Sequence, residues 1–197
     1  MVQLNKINLS GKSINRLSEL KGKFIKYLSI TTAGLPDIQH NSAHNMCFLI
    51  WLDTDEGNYM IHSSLSDTDD EVSFPELVVS YGDEYLNDEG YLEDKESIND
   101  ALTCAWGSAK IISIKIIRDR LDLLVKGIRH TLEIDIGLKL IFEEDELLLM
   151  SKDSSLGLME IWFGKSQSWS NEKNNYQLVY MYDTSELVGI ERIEIEV

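Results

Sequence analysis

Leu132, Ile134, Ile136, Leu138, Leu140 and Phe142 alternate with Glu133, Asp135, Gly137 and Lys139 over eleven consecutive positions. A period of two cannot keep one face buried in a helix, whose side chains repeat every 3.6 residues, so this run must be a strand. One set is expected to face a core and the other to face solvent. Shorter runs follow the same rule at residues 147–150, 158–163, 176–182 and 192–197, separated by polar stretches such as 152–155 and 166–175. The second half therefore reads as a meandering antiparallel sheet.

The first half is more varied. Ile14, Leu17 and Leu20 at three-residue steps predict a short helix from Ser13 that stops near Gly22. Residues 24–32 read as a strand, 34–45 as a polar loop, and 46–52 and 58–65 as a hairpin joined through the acidic turn 53–57. Ser97 and Asp100 resemble a capping pair and predict a second helix of two to three turns ending near Gly107. The fold class expected is α+β: a mostly antiparallel β-sheet meander with a few short helices packed at its margins. A chain of 197 residues, 43% hydrophobic, fits a single globular domain over 1–197 with an acidic, loop-rich segment at 53–100.

Charge is the most uneven property of the chain. The net charge is −16, yet residues 1–52 carry +4 and residues 101–197 carry −5. Residues 53–100 hold sixteen acids against Lys95 alone, a net −15. Such a field repels phosphates and acidic membranes and speeds encounter with a basic protein. Nucleic acid and membrane are therefore excluded as partners, and a basic protein is expected. The longest apolar run, 46–52, is too short to span a bilayer, and the first residues lack the apolar stretch of a secretory signal. Cys47 and Cys104 have no paired spacing. A cytoplasmic location and buried thiols follow as expectations.

Chemistry-bearing motifs are sparse. His40, His44 and Cys47 have the most metal-like spacing, but Pro36 and the polar loop argue against the helix that would align them. They read as loop histidines and a core cysteine, with no metal or cofactor expected. Asp67, Asp69, Asp70 and Glu71 fail the calcium-loop pattern, because Val72 stands where glycine is needed and Val78 where a bidentate Glu belongs. No nucleophile elbow, phosphate loop or dinucleotide fingerprint is present, so no catalytic residue is assigned.

Aromatic residues bordered by acids are the material of interface anchors. The candidate partner-binding set is accordingly Asp53, Asp55, Glu56, Asp67, Asp69, Asp70, Glu71, Tyr81, Asp83, Glu84, Tyr85, Asp88, Glu89, Tyr91, Glu93, Asp94 and Trp169. The competing reading of these tyrosines is that they pin the acidic segment to the sheet.

Residues 133–163, EIDIGLKLIFEEDELLLMSKDSSLGLMEIWF, resemble the strand, turn, strand units of small cytosolic immunity proteins encoded beside bacterial polymorphic toxins, including contact-dependent inhibition systems. The resemblance covers about thirty residues and carries over no functional residue. It implies a non-enzymatic protein that binds one cognate toxin, often a basic nuclease, and blocks its active site. The alternative is a small enzyme or ligand-binding domain, metal-assisted through His40, His44 and Cys47.

Overall fold

The computed structural model describes residues 3–32, 44–67, 73–82, 101–125, 127–151, 157–164 and 185–197. In chain order these form β1 (Gln3–Ile7), α1 (Gly11–Leu20), β2 (Phe24–Thr32), β3 (His44–Thr54), β4 (Gly57–Asp67), β5 (Ser73–Tyr81), β6 (Ala101–Lys110), β7 (Ser113–Val125), β8 (Ile128–Ile141), β9 (Glu146–Ser151), β10 (Met159–Phe163) and β11 (Ser185–Glu196). A β-rich, mostly antiparallel architecture is what the alternating pattern demands.

Two meanders make the sheet. β7, β8, β9 and β10 pair in sequence, as do β2, β3, β4 and β5, and β10 joins the two by pairing with the first residues of β3. β11 returns to pair antiparallel with β7, while β1 lies parallel to β8, the one parallel pair among the described residues.

The sequence predicts a helix ending near Gly107, but residues 101–110 are strand β6, laid antiparallel to β2. Pairing along the whole of β2 outweighs the local helix signal of Ala101, Leu102 and Ala105, and Thr103, Cys104 and Trp106 suit a strand equally well. α1 is thus the single α-helix of any length among the described residues, against the few expected.

α1 starts where Ser10 accepts a hydrogen bond from the Ser13 amide at 3.1 Å, and ends before Gly22, whose φ of 89° suits glycine. Leu17 and Leu20 point into the core, as their spacing predicts. Ser13 and Arg16 are buried too, because they serve β5. The Ser13 hydroxyl donates to the Val79 carbonyl at 3.3 Å and accepts from its amide at 3.2 Å, and Arg16 adds a donor to that carbonyl at 3.0 Å. The helix so satisfies backbone groups along the edge of β5 that would otherwise be open to another strand.

β8 departs from the simple two-faced strand. Ile117 pairs with Gly137 and Arg118 with Asp135, so Ile136 is an extra residue, a β-bulge. Leu138, Leu140 and Phe142 belong to one buried cluster, with α1 and strands β2 to β5, whereas Leu132, Ile134 and Ile136 belong to a second, with Leu121, Leu148, Met150 and Trp162. The bulge exchanges the faces: the alternating apolar side chains of β8 enter one cluster before it and the other cluster, on the opposite side of the sheet, after it. Residues expected to face solvent are therefore not all outside. Asp135 is 1% exposed and Gly137 is buried, while Glu133 and Lys139 are half-buried.

Asp135 is stable inside because its carboxylate accepts two hydrogen bonds from Arg118, at 2.6 and 3.1 Å, and one from the Leu9 amide at 2.8 Å. Asp119, fully buried, is held by Arg192 through two bonds of 2.7 Å, which fastens β11 to β7.

Candidate functional site

The acidic candidates whose side chains are described gather at the turn between β3 and β4. The turn is tighter than the five residues expected: Asp55 and Glu56 alone connect Thr54 to Gly57. The buried Thr54 hydroxyl donates to the Gly57 carbonyl at 2.6 Å and accepts from the Glu56 amide at 3.3 Å, closing the loop. Gly57 has a φ of 136°, a conformation that other residues avoid.

Both turn acids are exposed, yet both are tied to the chain. Asp55 accepts the Phe24 amide at 3.0 Å, and Glu56 pairs with Lys23 at 2.8 Å. The hydrogen bond to Glu56 lifts the Lys23 ammonium above the ordinary lysine value, against the opposing effect of burial, and the ammonium sits 5.7 Å from the centre of the Tyr59 ring. This pair clamps the hairpin to the start of β2.

Asp53 is different. It lies in β3, half-buried, opposite Tyr27 of β2 and Asn58 of β4. Tyr27 was not among the candidates, although it is 49% exposed. Its place beside an acid depends on a pairing between residues 27 and 53, which no local pattern reveals.

Tyr81, the half-buried last residue of β5, contacts α1. Its hydroxyl donates to Glu19, its ring carries the Arg16 guanidinium at 5.1 Å, and it tilts against Tyr59 at 5.4 Å. These contacts tie the end of β5 to the helix. Asp67 closes β4 opposite Ser73, its side chain outside the described set. Asp69, Asp70, Glu71, Asp83, Glu84, Tyr85, Asp88, Glu89, Tyr91, Glu93, Asp94 and Trp169 lie outside the described residues.

His40 also lies outside them, and His44 is placed only as the first residue of β3, opposite Trp162. Cys47 is fully buried beside Met159, and desolvation pushes its thiol up to about 12, so the thiolate needed for metal binding or nucleophilic attack is suppressed. Among the described residues no group of three or more His, Cys, Asp or Glu is placed to hold a metal ion. No helix among them is long and apolar enough to cross a membrane.

A second charged surface was not foreseen. Glu194 of β11 meets Lys115 at 2.6 Å and Lys139 at 3.3 Å, and Lys139 reaches on to Glu146 at 3.5 Å. This ladder crosses β11, β7, β8 and β9. Its charges are spent holding strands together.

Comparison with known proteins finds no family model, no curated protein and no solved structure that matches the chain.

Proposed function

We propose that this is a non-enzymatic, cytoplasmic immunity-type protein that binds one cognate basic toxin, of the nuclease kind, and occupies its cleft with an acidic surface. The observation that carries this reading is the concentration of sixteen acids and one lysine in residues 53–100. Like charges crowded together cost stability, so a chain that keeps them benefits from them outside folding. A nuclease cleft is electropositive because it holds phosphate, and a carboxylate surface can take the place of that phosphate. The resemblance of residues 133–163 to immunity proteins points the same way. Cys47, buried with its thiol pushed up to about 12, gives no support to a metal-assisted alternative.

The experiment is to identify the neighbouring reading frame and, where it encodes a large secreted protein with a variable C-terminal domain, to co-express the chain with that domain. Restored growth, together with a stable complex that has lost nuclease activity, is the expected result. Unrelieved toxicity and separate elution of the two proteins would overturn the reading.

A further inference from the structure

Several polar side chains near the β3–β4 turn have internal partners; Tyr27 and Asp53 are among those that do not. Tyr27 and Asp53 face each other across the β2–β3 ladder, where directly opposite side chains share one face with their Cβ atoms about 5 Å apart. Neither side chain makes a hydrogen bond, ion pair or ring contact among the described residues, although Asp55, Glu56 and Tyr81 close by all do. Tyr27 is 49% exposed in the interior of a nine-residue strand. An exposed phenol ring beside a half-buried carboxylate, on one sheet face, is a pair that no described side chain engages.

We infer that Tyr27 and Asp53 form the docking point for an arginine side chain of the basic protein partner. The inference rests on the acidic-surface reading above and names one contact within it. A guanidinium is flat and weakly hydrated, so it can stack on the phenol ring while its N–H fork donates to the carboxylate. A lysine ammonium can reach a ring and a carboxylate together, as Lys23 does with Tyr59 and Glu56, but it is a compact point charge without the flat face and fixed N–H fork of a guanidinium. The surroundings sharpen this choice. Lys26, the bulged residue of β2, is exposed next to Tyr27, and Lys110 lies 5.8 Å from the Phe24 ring centre. The spot is therefore of mixed charge, and field strength alone does not favour it. The pairing of a ring with a carboxylate on one face does, and a planar, forked guanidinium matches it better than an ammonium.

The test uses the full chain and two fluorescent probes, nine-residue poly-arginine and poly-lysine peptides, with affinities read by anisotropy at low salt. The wild type is expected to bind poly-arginine several-fold more tightly than poly-lysine. Tyr27→Ala and Asp53→Asn should each weaken poly-arginine about fivefold, in keeping with an exposed cation–π or charged hydrogen-bond contact, and leave poly-lysine within about twofold. Tyr27→Phe, which keeps the ring, should retain the preference. An unchanged urea midpoint for Tyr27→Ala shows that the variant is folded. Equal affinity for the two peptides, or a Tyr27→Ala variant that binds poly-arginine as the wild type does, would overturn the docking point while leaving the acidic surface standing. Failure of both peptides to bind would overturn the two together.

Discussion

Individual carboxylates in this chain do different work, and composition cannot tell them apart. Asp119 and Asp135 are buried counter-ions to Arg192 and Arg118, Asp55 and Glu56 fasten a turn, and Glu194 bridges two lysines. Glu133, Asp135 and Lys139 could be read only as the polar half of an alternating strand, because their partners are strands away. Glu194 offers a measurable case. Burial opposes its ionisation, but the hydrogen bond from Lys115 and the field of Lys139 outweigh burial and hold its pKa below the ordinary 4.5. A carboxyl lowered in the folded state contributes stability above its unfolded value, and that stability is lost as pH falls through the folded value. Glu194 is 27% exposed, so Glu194→Gln should cost about 0.5–1 kcal/mol at pH 7. Urea unfolding of the two proteins should show this gap closing as pH drops below 4.5. A gap that does not narrow as pH falls below 4.5 would mean that charge is not what Glu194 contributes.

At the scale of elements, strands were more legible than the breaks within them. The strand expected at 24–32 has the bounds of β2, and the spacing of Ile14, Leu17 and Leu20 located α1 and its buried stripe. The bulge at Ile136 was invisible because apolar residues stay two apart on either side of it, while the face they occupy changes. β6 was misread because a short Ala-rich segment is consistent with either state until a neighbouring strand claims it. Gly137 follows the bulge, and a Cβ there would lie 2.5 Å from the Leu149 carbonyl oxygen and would strike the Met150 sulfur as well. The sulfur can swing away, but the carbonyl belongs to the β8–β9 ladder and cannot. Gly137→Ala should therefore destabilise by about 1–3 kcal/mol, the usual cost of overpacking a filled site. Chemical unfolding would check this, with Gly11→Ala as a control, since a Cβ at Gly11 meets nothing within 4 Å. Equal stability of Gly137→Ala and wild type would show that the bulge has room to relax.

For the whole molecule, charge was the easiest property to read, since it adds along the chain whatever the fold. Where the charges point, and which have internal partners, depends on pairings such as Tyr27 with Asp53, so little of the candidate site was legible in advance. The described structure also determines which acids make a fair comparison for the proposed binding surface. Glu194 and Glu196 do not, because Lys115, Lys139, Lys21 and Ser113 engage them. Glu143 and Glu144, in the β8–β9 connection, and Glu186 of β11 are exposed and far in sequence from the acidic quarter. The decisive measurement is the association rate with the proposed basic partner at low and high salt, for the triple variant Asp67→Lys, Asp70→Lys, Asp88→Lys against Glu143→Lys, Glu144→Lys, Glu186→Lys. The two sets change net charge equally. If residues 53–100 are the docking surface, the first set slows association several-fold and flattens its salt dependence, while the second does little. Equal slowing by both sets would contradict a localised acidic docking surface and leave only the net charge of the chain.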